Sequence, residues 1–472
     1  MIYIVVIALV VLVLTGVTVY KTIAIKNKTD FMLAGRKLPW HVLVFTLLSS
    51  WIGAGSLFAG GENAYKNGLA ALWQPAGGWL GLLVIFFVAG KARRFAQFTV
   101  PDLLEKRYNA VARLMGTVAI VISYTVITSY QFKGGGDILH LIFPEMDRTM
   151  GMYIMAVFVI AFTAAAGMAS VAYLDLVIGC MVSAIVIVSV PLLLDRAGGW
   201  EQVQANLPAN HFTLLGPLSL DQALGLLLPT MLLLVGNQGM YQKFFSARSE
   251  RDARLAVYGW IIGALILETL LCFVAVIGSS MFKLENAREI IPTTARLGLP
   301  TLAGAILLGG IFAKIISTAN NYLFSPATNI IHDIYGRFIN RNASEKKTLL
   351  VSRLVIVALG VFAVMQAAHL ESILAAALYA YTVYGAAVTP SVLAVFFWRR
   401  ATTEGAIASI GLGTAVTVGW NLAGITWLDA VYPALAASLL SLVLVSLFTP
   451  PPAPDKVNPF FERAMEETHA TD

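Results

Sequence analysis

Residues 41–60 read HVLVFTLLSSWIGAGSLFAG, an apolar stretch whose middle, from Ser49 to Ser56, is rich in serine and glycine around Trp51. About twenty apolar residues in a helix cross some 30 Å of hydrocarbon, so the stretch predicts a membrane span. Small residues inside a span usually serve close packing of helices. Alternatively, the helix unwinds here, which a membrane tolerates only where the freed backbone groups line a cavity or a ligand.

A second interrupted span favours the unwound alternative. The apolar segment at residues 218–239 ends in LVGNQG, from Leu234 to Gly239. It follows the first interrupted span by five spans, so the two interruptions fall at matching positions of two five-helix halves. Inverted-repeat secondary transporters have this arrangement, and they bind solute and ions at the midplane where the broken helices meet.

The composition of the 472-residue chain agrees with a membrane-embedded protein. Hydrophobic residues make up 58% of it and charged residues only 12%, about half the charged share of a soluble domain. A large aqueous domain is therefore excluded, and we expect an all-α polytopic membrane protein with 13 transmembrane helices. The predicted spans are residues 1–22, 41–60, 70–90, 113–143, 151–167, 170–195, 218–239, 256–282, 300–326, 349–368, 371–398, 402–422 and 427–448.

The connecting loops predict the orientation. Alternate loops are rich in lysine and arginine, as cytoplasmic loops are, and this places the N-terminus outside and the C-terminus in the cytoplasm of a plasma (inner) membrane protein. The net charge of +6 then reflects topology, and no nucleic-acid partner is expected. The first span has no basic residue before it, so it is expected to be retained rather than cleaved as a signal peptide. The basic loops run over Lys21–Lys37, Lys91–Arg113, Lys243–Arg254, Arg337–Lys347 and Arg399–Arg400.

The ninth span contains a polar cluster, KIISTANN, from Lys314 to Asn321. The hydroxyls of Ser317 and Thr318 could bond back to carbonyls of the preceding turn. Alternatively, they supply oxygen ligands to a hard cation such as sodium, with carbonyls from an unwound helix completing the set. The cluster alone leaves both interpretations open.

Several stretches together resemble the sodium:solute symporter family over essentially the whole chain. Their order and spacing match the family, as does the topology of thirteen spans with an outside N-terminus. The stretches are FMLAGRKLPW at Phe31–Trp40, SVAYLD at Ser170–Asp175, Asn237-Gln238 with Gln242-Lys243, and Ser317-Thr318 followed by HDIY at His332–Tyr335.

The resemblance implies a LeuT-like core, a 5+5 inverted repeat with broken helices, built from spans two to eleven. The implied units are residues 1–40 (an extra N-terminal helix and a cytoplasmic loop), 41–198 (the first repeat), 199–398 (the second, inverted repeat), 399–448 (two additional helices) and 449–472 (a flexible cytoplasmic tail).

The resemblance also implies a set of site residues. The sodium ligands would be backbone oxygens of Ser49, Ile52 and Lys314 with the hydroxyls of Ser317 and Thr318, and Asp175 would support the ion. The solute would lie between spans two, three, seven and eleven, in contact with Trp51, Ser56, Gln74, Asn237, Gln238 and Tyr381.

Two departures from the family pattern concern the ion. The family usually has a small residue where Lys314 stands, and an ammonium there would repel a bound cation. Its side chain could point away from Ser317, because helical side chains tilt towards the N-terminus, or it could pair with Asp175. Asn320 and Asn321 stand where some members have serines that form a second sodium site, so no second ion is predicted.

The closest local resemblance is to the choline-transporting branch. It rests on Trp51 with its following glycines, on Tyr65 and on the stretch Leu72–Pro75. Asn237, however, occupies a position where that branch has a second tryptophan. Lys133 would favour a carboxylate solute if it were unpaired, but Asp137, four residues on, is its expected partner.

We therefore expect no enzyme activity and no cofactor, and a transporter that couples inward sodium flow to uptake of a small polar organic solute by alternating access. It is expected to work as a monomeric unit in the lipid bilayer, with the solute and the sodium ion as its partners. Two rivals remain. In the first, Lys314 occupies the place of the cation, and transport would be sodium-independent, either proton-coupled or facilitative. In the second, the protein is a solute sensor that does not transport.

Overall fold

A computed structural model describes residues 2–22, 28–95, 97–165 and 167–461. Met1, Lys26 of the first basic loop, and residues 462–472 of the predicted tail lie outside the described residues. Within them the chain is helical and forms no strand, with one isolated bridge between Leu38 and Ala247. The α-helices, in chain order, are α1 (Ile2–Thr22), α2 (Lys28–Leu33), α3 (Trp40–Trp51), α4 (Gly60–Asn67), α5 (Trp73–Phe95), α6 (Val100–Arg107), α7 (Ala110–Ile142), α8 (Arg148–Ala165), α9 (Met168–Arg196), α10 (Trp200–Asn206), α11 (Leu220–Gly236), α12 (Gln238–Ser246), α13 (Glu250–Met281), α14 (Ile290–Thr293), α15 (Thr301–Asn329), α16 (Glu345–His369), α17 (Ile373–Phe397), α18 (Thr403–Leu422), α19 (Val431–Phe448) and α20 (Pro454–Phe461).

Side chains at the helix starts explain several of these boundaries. The side chain of Asn109 accepts hydrogen bonds from the first amides of α7, and Ser249 does the same for α13. Ser219 and Gln222 form a reciprocal capping box at the start of α11. Such caps satisfy amides that a helix leaves without an internal partner, and each contributes about 1 kcal/mol.

Twelve helical segments of the described chain are long and apolar enough to cross a membrane. The predicted number of thirteen spans is not confirmed, because the second predicted span is divided. Its first part, α3, has only 12 residues, and its second part runs on into one helical segment, Gly55–Phe95. The other predicted spans each coincide with a long helix to within a few residues at most ends.

The divided helices lie in the interior of the bundle. α3 packs against α9, α13 and α15, and α11 packs between α5 and α17. α15 is buried along most of its length, including its polar residues. Peripheral helices such as α1 instead expose large apolar side chains, among them Leu9 and Leu12, as expected for a surface that faces lipid. The buried polar side chains of these interior helices therefore lie around the two breaks.

Two ion-pair clusters lie near opposite ends of α7, a helix of 33 residues and so about 50 Å long. At one end Arg113 pairs with Asp333 at 2.6 Å, with Asp102 at 3.3 Å, and with Glu105. At the other end Asp137 pairs with Arg148 at 2.9 Å and with Arg288 at 3.0 Å. The clusters join helices that are distant in sequence.

Asp102, on the short helix α6, belongs to the first cluster, and the pKa of its carboxyl is shifted. Burial by itself would raise the pKa of its carboxyl, but the hydrogen bond with His332 and the charge of Arg113 outweigh that effect, so the pKa lies below its usual range. The carboxyl is therefore held in its ionised form.

The C-terminal segment corrects one prediction. Residues 449–472 were expected to be a flexible tail, but in the described part of this stretch, which ends at Phe461, α20 is helical and packed against the bundle. The ring of Phe460 stacks on Phe95 with the centroids 4.3 Å apart, and the guanidinium of Arg399 lies 5.0 Å from the centroid of Phe461. Two adjacent aromatic side chains gain enough from burial to hold this short helix in place.

Candidate functional site

The first helix break lies where the serine- and glycine-rich stretch predicted it. α3 ends at Trp51, Ile52 has an extended ψ of 101°, and the chain resumes as a π-helical turn at Gly55–Ala59. The side-chain oxygen of Gln131 accepts a hydrogen bond from the amide of Ala54 at 2.8 Å. A side chain from another helix thus satisfies a backbone group that the break releases, as burial in a membrane protein requires.

The carbonyls at this break face α15. The Thr318 hydroxyl lies 2.9 Å from the carbonyl oxygen of Ser49 and 3.3 Å from that of Ile52. The approach depends on Gly53, because a Cβ atom at that position would lie 2.6 Å from the Thr318 side chain. Three of the oxygens expected around the ion therefore lie together. The backbone oxygen of Lys314, also expected there, belongs to the unbroken helix α15.

Asp175 on α9 lies beside this oxygen cluster and is fully buried. Its carboxylate accepts hydrogen bonds from Thr46 at 2.5 Å, from Ser317, and from the Asn321 amide at 3.4 Å. The Ser317 hydroxyl was expected as an ion ligand, but it donates to Asp175. The hydroxyl of the adjacent Thr318 instead faces the break. Neither hydroxyl faces lipid, since both residues are buried.

Two ammonium groups share this buried region. Lys314 donates to the Ser49 hydroxyl at 2.9 Å, so it hydrogen-bonds the end of α3 and not Asp175, the partner it was thought able to take. Lys243 on α12 donates to the Ser50 hydroxyl at 2.5 Å and to the Asn321 side-chain oxygen at 2.9 Å. The region therefore holds two cationic side chains and one carboxylate.

The second break, between α11 and α12, lies at Asn237, as its sequence predicted. Tyrosine hydroxyls satisfy its backbone. The Tyr384 hydroxyl donates to the carbonyl of Gly236 at 2.5 Å, and the amide of Gly239 donates to the Tyr124 hydroxyl at 3.3 Å. The side-chain amide of Asn237 donates to the Tyr322 hydroxyl at 3.1 Å. Three helices thus fix the unwound segment.

A cavity of about 530 Å³ adjoins the first break. Trp51, Ser56, Gln74 and Tyr381 line it, so four of the six expected solute contacts share one space. Trp51 lines this cavity, and the carbonyls of the nearby residues Ser49 and Ile52 contact Thr318.

The remaining two expected solute contacts lie elsewhere. Asn237 lines a separate cavity of about 160 Å³ together with Lys243 and Tyr322. The side-chain oxygen of Gln238 accepts from the amide of Val100 at 2.5 Å and so holds the start of α6. The structure therefore does not bring Asn237 and Gln238 into contact with the larger cavity.

Sequence reasoning was wrong about one pair and incomplete about another group. Lys133 donates to the carbonyl of Leu370 and does not pair with Asp137, which pairs with two arginines instead. Glu268, an acidic residue of α13, lines the larger cavity. Its two carboxylate oxygens accept hydrogen bonds from the indole N–H groups of Trp51 and Trp79, each at 2.9 Å. The only local signal was an acidic residue deep in an apolar span.

Comparison with known proteins places the chain among transporters. The model of the sodium:solute symporter family matches residues 31–413. The chain is 27% identical over 464 residues to the high-affinity proline transporter PutP of Bacillus subtilis (strain 168), covering 93% of this chain and 96% of that protein. It is also 27% identical over 461 residues to sodium/proline symporter 2 of Staphylococcus saprophyticus subsp. saprophyticus, covering 90% and 88%. These relatives leave the expected resemblance to the choline-transporting branch unsupported.

The fold has a counterpart among solved structures. A Na+-coupled sialic acid symporter in a substrate-bound, outward-open state superposes with a TM-score of 0.83 at 16% identity, over 96% of this chain and 98% of that one. At this identity the match concerns the fold alone, and it agrees with the LeuT-like architecture expected for the broken-helix core.

Proposed function

The chain belongs to the sodium:solute symporter family, and on that premise we propose that it couples the inward movement of sodium to the uptake of a small polar organic solute. The observation that carries the proposal is the oxygen cluster at the first break, where Thr318 meets the carbonyls of Ser49 and Ile52. Alternating access would move the helices around this cluster and the adjoining cavity. No covalent chemistry is required.

The spacing of the cluster suits a hard cation. Around an ion with ligand oxygens at about 2.3–2.6 Å, as for calcium, neighbouring oxygens lie roughly 3.3–3.7 Å apart. The separations of 2.9 Å and 3.3 Å between the Thr318 hydroxyl and the two carbonyls need only a small expansion to reach that range. We assign Ser49, Ile52 and Thr318 as ion ligands, the Lys314 carbonyl and Ser317 as further oxygens, and Asp175 as the negative charge that supports the ion.

The solute would occupy the cavity lined by Trp51, Ser56, Gln74 and Tyr381. Proline is the first solute to test, because the relatives that cover most of the chain are described as proline transporters. Asn237 would act on the solute path through its own smaller cavity, and Gln238 would hold α6 rather than touch the solute.

The wider arrangement is part of the proposal. α3 and the helical stretch to the end of α4 count as one broken span, and α5 counts as the next, which gives thirteen spans in all, with residues 41–198 and 199–398 as the two inverted repeats. The protein would lie in the plasma membrane with its N-terminus outside and its C-terminus in the cytoplasm, and one chain would be the transporting unit.

One observation favours a second candidate function, sodium-independent transport. The ammonium of Lys314 hydrogen-bonds the hydroxyl of Ser49, a residue whose carbonyl belongs to the proposed ion site. A tethered cation beside the site could take over the role of the ion, and transport would then be proton-coupled or facilitative.

Uptake by proteoliposomes distinguishes these functions. Labelled proline is offered with sodium outside, or with N-methylglucamine in its place, at a membrane potential fixed by valinomycin. An inward charge moving through 100 mV gains about 2.3 kcal/mol, so sodium symport predicts uptake that requires sodium and increases with an inside-negative potential. Equal uptake in both media establishes the second candidate. Binding without counterflow would make the protein a sensor.

A further inference from the structure

Glu268 is the only charged side chain that lines the larger cavity within the described part of the chain. The residue is 6% exposed, and none of the ion pairs formed by the described residues involves it. A carboxylate removed from water in this way usually has a cationic partner. Here the residues that the structure describes supply none, and the carboxylate lines the cavity.

The two indole N–H groups fix how Glu268 is presented. Trp51 donates to one of its oxygens and Trp79 to the other, each at 2.9 Å. An indole can only donate, so both oxygens act as acceptors, and an ionised carboxylate has further lone pairs on each. The two indoles hold the carboxylate in one orientation. Each oxygen keeps lone pairs that can still accept a hydrogen bond from a ligand.

Gln74 supplies a second, independent observation. The residue is 6% exposed and lines the same cavity, and its side-chain oxygen has no hydrogen-bond partner among the described residues. A buried acceptor without a donor costs about 1–3 kcal/mol. The cavity thus offers an acceptor without a donor, Gln74, and a carboxylate with further lone pairs, Glu268. Both lie beside the aromatic side chains of Trp51 and Tyr381, whose faces attract cations.

We infer that Glu268 and Gln74 bind a protonated amine of the solute, which assigns the solute to small amino or imino acids and amines that carry at least one N–H. This inference rests on the proposed transport function and narrows it. A sugar or a simple carboxylate leaves the carboxylate without a cation. A quaternary ammonium such as choline supplies the charge but no N–H for Gln74.

Pairs of solutes that differ only at the amine test this inference. Binding to the purified full-length protein is measured by calorimetry with L-proline and with tetrahydrofuran-2-carboxylate, in which oxygen replaces the ring nitrogen. L-alanine and L-lactate form a second pair, and choline is included. A hydrogen bond to a charged group contributes about 1.5–3 kcal/mol, so the amine of each pair should bind about 10- to 100-fold more tightly.

Two variants locate the effect. E268Q keeps the shape but removes the charge, and Q74L removes the acceptor without leaving an unpaired group, so each should reduce the preference for the amine. E62Q is the matched control, because Glu62 pairs with Lys66 and does not line the cavity. It should keep the full preference. If E268Q does not fold, Q74L and the solute pairs on the unaltered protein decide the question.

The outcomes separate the inference from the function it rests on. Equal binding of both members of a pair to the unaltered protein overturns the inference and leaves symport intact. Sodium-driven uptake of a sugar or of lactate, without uptake of any amine, also overturns it and again leaves symport in place. Loss of the amine preference in E268Q and Q74L but not in E62Q supports it.

Discussion

The hydroxyl of Thr318 lies 2.9 Å from the carbonyl oxygen of Ser49, a residue 269 positions earlier in the chain. The contact joins the end of α3 to the middle of α15, so any rearrangement that separates these helices must break it. The same contact brings together oxygens from two helices that a cation could bridge. Several measurable consequences follow from it and from the groups around it.

Removing the Thr318 hydroxyl should weaken sodium dependence. T318V keeps the shape and removes one oxygen, and the loss of one ligand at a cost of about 1.5–3 kcal/mol should raise the sodium concentration for half-maximal uptake about 10- to 100-fold. S317A should act in the same direction through Asp175. T163V is the control, because the Thr163 hydroxyl bonds only the carbonyl of Val159 in its own helix. Unchanged sodium dependence in both T318V and S317A would show that the ion binds elsewhere.

Removing the ammonium of Lys314 should strengthen sodium binding. A cation at the end of α3 repels an ion held by the Ser49 carbonyl, so K314M should lower the sodium concentration for half-maximal uptake by about 10-fold, equivalent to about 1.4 kcal/mol. K314R keeps the charge and should show no such gain. The measurement is sodium titration of uptake, and a higher sodium requirement in K314M would contradict the repulsion.

A methyl group at Gly53 should abolish transport without unfolding the protein. In G53A the new Cβ would lie 2.6 Å from Thr318 and force α3 away from α15. Gly419 offers a matched control, because a Cβ there meets nothing within 4 Å, and G419A should gain stability of about 0.5–1 kcal/mol as a helical substitution. Initial rates of uptake and thermal unfolding are compared for both variants. Full activity in G53A would mean that the close approach is dispensable.

The cluster around Asp102 should make stability depend on pH in the acid range. The pKa of this carboxyl is lowered in the folded protein, so its contribution is complete above the unfolded value of about 3.9 and is lost as the pH falls through the lower folded value. The unaltered protein should therefore melt at a higher temperature than D102N at pH 5–7, and the difference should shrink below about pH 4. A difference that grows on acidification would contradict the assignment.

Both helix breaks could be predicted from the sequence because their cause is local. Glycine, serine and asparagine in mid-span lower the cost of leaving the helix, as at Gly53 and Asn237. The burial of Ser317 and Thr318 was predictable for the same reason, since polar side chains in a span avoid lipid.

The partners of these groups were not predictable, because they come from distant segments. The residues around Ser317 do not point to Asp175, which only the family resemblance placed at the ion site. Nothing near Glu268 points to the indoles of Trp51 and Trp79. The expected pair of Lys133 and Asp137 failed for a related reason: arginines from two other segments, Arg148 and Arg288, reach the aspartate. Spacing along one helix identifies possible neighbours, and the tertiary fold selects among them.

Trp51 has a further consequence for how the protein handles its two ligands. Its indole holds Glu268 at the wall of the cavity, and its neighbours Ser49 and Ile52 turn their carbonyls to Thr318. A cation at the proposed ion site and a solute in the cavity would therefore both act on the same short stretch of main chain around Trp51. Linkage is reciprocal, so whatever factor the cation adds to the affinity for the solute, the solute adds to the affinity for the cation. With the proposed sites, a large linkage factor would disfavour the carrier that holds only the cation or only the solute.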